Sequence, residues 1–308
     1  MNRWRRRGHH NNIHFGSLRK GLKLLEVALP DTSLTDCSDL RQKTAKMGTI
    51  GRALAVFKVE RVIVYRTDAL TPRDRRDRDL LLRLLHYLDT PQYLRRRVFP
   101  HTPSLKYAGI LPPLRTMSHP INPNPSQVEE GEMRWGVRRE DNKVDIGLTK
   151  GIDYPHPLDS KEMVLFEIVK TKPEIRIEEV KRTDTEIYFG FEIGDVDSLS
   201  DYLIQRGNAT RIVFSREGIP FARIRSGLAS TIEGTTDVIS IFGGPTHGVR
   251  ELGQNQLDSI KDNIDFWVNT IPDQGTETVR LEEAMIASLA LLNDTVGQFI
   301  TKSGYHQK

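Results

Sequence analysis

The segment NTIPDQGTETVRLEEAMIASLALLN, residues 269–293, decides the fold. It leaves a buried strand, IDFWVNTIP (264–272), and crosses a polar loop built on Pro272, Gly275, Thr276 and Thr278. It then drops at once into an apolar helix whose first turn carries Glu282 and Glu283. Strand, short loop and helix in immediate succession is the unit of an open α/β sheet, and such sheets bind ligands outside the carboxyl ends of their strands. Two readings of the loop stay open on these grounds. It is an ordinary turn with a Thr capping the helix, or it is a backbone-lined wall of a small-molecule pocket.

A second loop of the same kind lies upstream, in VISIFGGPTHGVREL (238–252). Gly243, Gly244, Gly248 and Gly275 permit close backbone approach, and Pro245 and Pro272 stiffen the turns. Gly243 to Gly248 has the glycine spacing of a phosphate-binding P-loop, but Val249 and Arg250 stand where Lys and Ser or Thr are required. No G-x-G-x-x-G follows a strand, so the dinucleotide fingerprint is missing as well. ATP hydrolysis and nicotinamide chemistry are therefore disfavoured.

Outward from these loops, apolar runs and helical spacing alternate. LKLLEVAL (22–29) and RVIVY (61–65) read as buried strands; between them Leu40, Met47, Ile50 and Leu54 recur at helical spacing after Ser38, the predicted N-cap. DLLLRLLHYL (79–88) is an amphipathic helix. After residue 185, EIYFGFEI, TRIVFS and TDVISIFGG read as strands and SLSDYLIQRG as a helix. Between lies a Pro-rich stretch with short alternating runs, among them MRWGVRRE, KVDIGL, EMVLFEIVK and IRIEEVKR, the pattern of a small antiparallel barrel resembling an OB-fold. The expected organisation is an α/β domain with a parallel sheet, made of residues 1–89 and 185–308 and interrupted by a β-barrel insert at 90–184.

With 37% hydrophobic and 28% charged residues, the composition suits a folded, water-soluble chain. No run of about 18 apolar residues is present, so no membrane span is expected. The basic N-terminus lacks the apolar core of a secretory signal. A single cysteine, Cys37, excludes an internal disulfide and a Cys-based zinc site, and a cytoplasmic location is the natural reading. His9, His10 and His14 crowd together without a carboxylate and read as part of a basic arm rather than a metal site. Net charge is only +4, yet Arg3, Arg5, Arg6, Arg7, Arg19 and Lys20 fall in the first twenty residues with no acid and with Trp4 among them. Such an arm suits a polyanion, RNA or DNA, or is simply a solvated tail.

Three segments together resemble the SPOUT superfamily of RNA methyltransferases, whose α/β fold carries a C-terminal trefoil knot. KMGTIGRALAVFKVERVIVY (46–65) is similar to its first motif, a helix with a central Arg running into a strand. VISIFGGPTHGVREL is similar to the second, and the 269–293 segment to the third. YLRRRVFP (93–100) and SLKYAGILPPLRT (104–116) resemble the archaeal and eukaryotic branch with a barrel insert. The resemblance covers nearly the whole chain. It implies S-adenosyl-L-methionine as methyl donor, a homodimer, no metal, and an RNA acceptor, ribosomal rather than transfer RNA from the branch. By position, Phe242, Gly243, Gly244, Pro245 and Gly248 would line one side of the donor pocket, and Asn269, Ile271, Pro272, Gln274, Gly275, Thr276 and Thr278 the other.

Arg52 falls on the motif-one Arg, which the resemblance implicates in activating the acceptor. A guanidinium is always charged near neutrality, so positioning a phosphate or a developing oxyanion suits it better than acting as a base; a helix-surface ion pair is the plain alternative. Arg280 and Glu282 stand where ribose-methylating relatives carry Asn and a small hydroxyl residue. That departure favours a base nitrogen over a ribose 2′-oxygen, with Glu282 as a candidate proton acceptor. Against this, acids in a first helical turn commonly serve the helix dipole. His247 is either a base or a loop side chain. In the insert, Lys106, Arg115, Arg134 and Arg138, with Tyr107, Trp135 and Arg139, are candidates for gripping looped or single-stranded RNA; Trp135 alternatively packs the barrel. The rival to an enzyme is an RNA-binding or ribosome-assembly factor that keeps the fold without turnover.

Overall fold

The structure is a computed structural model that describes residues 23–297 apart from 68–74, 160–161, 186 and 253–256. Arg5, Arg6 and Arg7, and the three N-terminal histidines, lie outside the described residues.

The apolar runs form a six-stranded sheet: β1 (Leu24–Pro30), β2 (Arg61–Tyr65), β7 (Glu192–Val196), β8 (Ala209–Pro220), β9 (Asp237–Phe242) and β10 (Phe266–Asn269). Their order is β10-β8-β9-β1-β2-β7, and every neighbouring pair is parallel. β9 is buried at all six positions, as befits a strand covered on both faces. Along β1, Leu25, Val27 and Leu29 enter one core, where α1 (Leu40–Val56), α2 (Arg75–Asp89), α5 (Phe221–Glu233) and α8 (Leu281–Val296) pack. Ala28 enters the opposite core with α4 (Leu199–Gln205), α6 (Val249–Leu252) and α7 (Leu257–Asp262). The period of two along the strand thus sorts one sequence onto two helical layers. Glu26, fully buried in the middle of β1, is met by Arg61 at 2.7 Å and by Tyr202 and Arg206.

Asp39, not Ser38, caps α1: its side chain accepts from the Gln42 amide at 2.9 Å. The strand expected over 186–193 begins only at Glu192. Ile187 forms an isolated bridge and residues 188–191 are irregular; Gly190 has φ +84° and the Phe191 amide donates to Asp89 Oδ1 at 2.9 Å.

A separate antiparallel sheet, order β4-β3-β5-β6, is formed by β3 (Met133–Arg138), β4 (Val144–Asp145), β5 (Val164–Lys170) and β6 (Arg176–Glu179). It encloses a core of its own, with Val144, Ile146, Phe166, Ile168 and Ile177. In the chain it falls between α2 and β7, after the short α3 (Arg95–Val98). Among the described residues no helix is long and apolar enough to cross a membrane, and no group of three His, Cys, Asp or Glu could hold a metal ion.

Candidate functional site

Because β8, β9 and β10 run parallel, their carboxyl ends and the loops that follow meet at one end of the sheet. A cleft of about 250 Å³ opens there. One wall is the 243–248 turn, closed by Gly244 N donating to His247 O at 2.8 Å; Gly248 N donates to Glu251 Oε2 at 2.8 Å. A Cβ on Gly243 would stand 2.8 Å from the Gly248 Cα and 3.0 Å from the His247 oxygen, so glycine is required there. The second wall is the 269–280 loop. Asn269 Oδ1 accepts from the Ile271 amide at 2.9 Å, and Gln274 Nε2 donates to the Thr276 and Glu277 oxygens at 2.8 and 3.0 Å. The floor is apolar: Phe242 stacks on Phe214 with ring centroids 5.1 Å apart, and Leu281, Ala284 and Ser288 of α8 lie beneath, Ser288 joined to Thr270 by hydroxyls at 2.8 Å. Loops made of amides and carbonyls over an aromatic floor present hydrogen-bonding edges above an apolar face, which suits a planar heterocycle.

Of the residues expected to hold a donor, Phe242, Gly243, Gly244, Pro245, Gly248, Asn269, Ile271, Gln274 and Thr278 line this cleft. Pro272, Gly275 and Thr276 do not. Gly275 is exposed and a Cβ on it would meet nothing within 4 Å; the left-handed residue of the loop is Asp273, at φ +54°. Neither Thr caps α8: Thr276 Oγ1 donates to the Thr278 oxygen, and the cap is Arg280, whose amide donates to Glu283 at 3.0 Å. Glu283 therefore has a structural partner at the helix start.

The third wall was not legible in the sequence. The register between β8 and β10 jumps between Trp267 and Val268, so that residues 214–218 leave the ladder as a bulge. Phe214, Ser215, Arg216 and Glu217 of this bulge all line the cleft. The signal that could have found it is Gly218, a glycine in the run REGIP (216–220) directly after the expected strand TRIVFS (210–215), which the structure places inside β8. A Cβ there would stand 2.5 Å from the Val268 nitrogen and 2.7 Å from the Asn269 nitrogen.

Arg52 and Glu282 lie outside the cleft lining. Arg52, on α1, donates to the Leu114 oxygen at 2.6 Å and the Pro113 oxygen at 3.4 Å, anchoring the Pro-rich strap. Glu282 faces α1, where its carboxylate is 3.4 Å from the Lys46 ammonium; Lys46, almost wholly buried, also donates to Asp36 at 2.7 Å. Burial and the Asp36 carboxylate push the neighbouring Cys37 thiol up to about 11, so it stays protonated near neutrality and is no nucleophile. His247 is exposed, with Glu251 3.5 Å from its Nδ1.

In the insert, Lys106 is exposed over the Tyr107 ring and Arg115 is exposed at φ +54°. Arg138 donates to Asn142 at 2.9 Å, and Arg139 pairs with Asp141 at 3.2 Å. Arg134 is different. It is 2% exposed and is engaged by Glu132 at 2.7 Å and by the Asn122 oxygen at 3.1 Å. Its guanidinium ties β3 to the Pro-rich strap and offers RNA no surface, because a strand residue facing the core is unavailable to solvent. Trp135 packs beneath Arg182, 5.0 Å from guanidinium carbon to ring centroid, and against Phe189.

A family model described as "Putative RNA methyltransferase" matches residues 24–292. An uncharacterised protein of Haloarcula marismortui is 30% identical over 288 residues, covering 87% of this chain and 98% of that protein. A 28S rRNA (uridine-N(3))-methyltransferase of Mus musculus is 27% identical, covering 89% of this chain and 77% of the relative. The enzyme of the same name from Homo sapiens is also 27% identical, with 87% and 77% covered. The match of the family model spans both sheets and all three walls of the cleft, and the chain belongs to this SPOUT-type family of RNA methyltransferases.

Proposed function

We propose that the chain methylates a base nitrogen of ribosomal RNA, N3 of a uridine in the manner the mouse and human relatives are named for, with S-adenosyl-L-methionine as donor. The observation that supports it best is the convergence of the Gly243 turn, the Asn269 loop and the β8 bulge on one cleft with an aromatic floor. Backbone groups of the two loops would hold the adenosine, and the donor supplies a methyl group on a cationic sulfur. What the protein must add is alignment of acceptor and donor and a place for the acceptor's charge.

In this reading residues 1–89 and 185–308 form the SPOUT domain with its C-terminal trefoil knot, and 90–184 an OB-like insert. Lys106, Arg115 and Arg138 of the insert, with Arg5, Arg6 and Arg7, contact RNA. Arg52 and Glu282 act as positioning groups at the ends of α1 and α8. The protein works as a cytoplasmic homodimer, and the exposed Ile219 and Ile286 are apolar surface such a dimer would cover.

The test has two arms. Calorimetry with S-adenosylhomocysteine should show one site per chain, and Gly243→Ala should abolish it while circular dichroism stays unchanged. Labelled donor incubated with ribosomal RNA from cells lacking the protein should label a uridine at N3. Donor binding without methyl incorporation into any RNA would leave a non-catalytic RNA-binding factor as the better reading.

A further inference from the structure

The bulge of β8 places two adjacent charges on the cleft wall, and they are not equivalent. Glu217 is already matched: its carboxylate accepts from Arg250 Nη1 at 2.9 Å, and Arg250 lies over the Trp267 ring at 4.7 Å. Glu251 serves the Gly248 amide and lies beside His247. Among the described residues Arg216 has no carboxylate within ion-pair distance, and its side chain makes one long hydrogen bond, to the Glu277 oxygen at 3.5 Å. Its backbone, by contrast, is fixed, because Asn269 Nδ2 donates to the Arg216 oxygen at 2.9 Å and Gly218 is pressed onto Val268. Among the described residues lining the cleft, Arg216 is thus a cation on a rigid backbone, with an exposed head and no counter-charge of its own.

A cation held in this way is available to an anionic or strongly polarised partner that enters the cleft. The donor does not qualify as a whole, since its sulfonium and ammonium outweigh its carboxylate and it arrives with net positive charge. The acceptor does. An imide nitrogen is protonated near neutrality and becomes nucleophilic as it loses that proton, spreading negative charge onto the flanking carbonyl oxygens. A guanidinium presents paired donors to such an oxygen and cannot itself lose a proton at working pH.

We propose that Arg216 receives the developing imidate of the target base, donating to a carbonyl oxygen beside the attacked nitrogen, and so selects a deprotonatable pyrimidine imide as acceptor. The step balances. The N–H proton passes to bulk water at the open mouth of the cleft, the nitrogen electron pair forms the N–CH3 bond, and the S–CH3 bond breaks with its pair left on sulfur. This proposal rests on the base-nitrogen reading above.

The test is Arg216→Gln, with Arg216→Lys beside it, in the full-length protein. S-adenosylhomocysteine affinity should stay within about twofold of wild type in both, which also shows that the cleft is folded. Single-turnover transfer should fall about 100-fold in the Gln variant and partly recover in the Lys variant. The pH at which transfer reaches its plateau should move upward in the Gln variant, because the imide is no longer helped to ionise. Weakened S-adenosylhomocysteine binding with unchanged 5′-methylthioadenosine binding would overturn the proposal, since Arg216 would then hold the amino-acid end of the donor. Wild-type transfer and pH profile in Arg216→Gln would overturn it alone; wild-type protein that methylates no RNA would overturn the proposed function along with it.

Discussion

A methyl group on residue 218 would have to occupy space already held by the Val268 backbone, 2.5 Å from its nitrogen, and neither strand can yield without breaking its ladder. Gly275 is the opposite case, exposed and with nothing near it. In sequence both glycines follow an expected strand, and Gly275 looks the more functional because it sits in a longer polar loop that runs straight into a helix, whereas the structure carries β8 on through Gly218 to Pro220. The difference is a backbone-to-backbone distance that no pattern encodes. Gly218→Ala is therefore expected to cost about 2 kcal/mol or more and to weaken S-adenosylhomocysteine binding at least tenfold, whereas Gly275→Ala should stay within about 0.5 kcal/mol and bind normally. Urea unfolding and calorimetry on the two variants decide it, and equal behaviour would mean the bulge does not shape the cleft.

At the level of elements, α8 and its loop were legible because the strand, loop and helix follow one another without interruption, and Leu281, Met285, Leu289, Leu292 and Val296 keep helical spacing to the core. α5 was not. It is bounded by Pro220 and Gly234, but it has no side-chain cap and only Phe221, Leu228 and Ile232 are buried, so no dense apolar stripe announces it. The nine cleft residues legible in the sequence all end or follow β9 or β10. Those of the β8 bulge were hidden because bulging depends on pairing with β10, fifty residues on. The α1–α8 seam shows the same limit. Glu282 is conspicuous in sequence, yet what it meets is Lys46. Lys46→Met would leave the Glu282 and Asp36 carboxylates without that ammonium and should cost about 3 kcal/mol in urea unfolding. Glu282→Gln should cost less, because Lys46 keeps Asp36 at 2.7 Å, and should leave methyl transfer within about tenfold of wild type. A loss of 100-fold or more in Glu282→Gln, with stability unchanged, would instead make it a direct proton acceptor.

Across the whole molecule the two sheets are held in one arrangement by a small polar junction at the end of α2. Asp89 accepts from Arg182 at 2.8 Å and from the Phe191 amide at 2.9 Å, fixing the segment that returns from the second sheet to the first. Beside it, His119 of the Pro-rich strap donates from Nε2 to the Leu88 oxygen at 3.0 Å while its Nδ1 meets the Thr116 and Ser118 hydroxyls at 2.9 Å each. Burial pushes this imidazole below the ordinary histidine range; the Asp89 carboxylate opposes the shift and Arg95 adds to it. The sign follows from linkage. The unfolded chain takes up this proton near pH 6.5, before the folded chain does, so the junction has its full strength above that pH and loses it as pH falls through the lower folded value. Thermal melts of the wild-type protein should therefore drop between pH 7.5 and 5. His119→Asn cannot take up the proton, so it should melt lower than wild type at pH 7.5 but lose less on acidification. If the loss in Tm over that interval is the same in both proteins, His119 does not govern the junction, and the acid sensitivity lies with other groups.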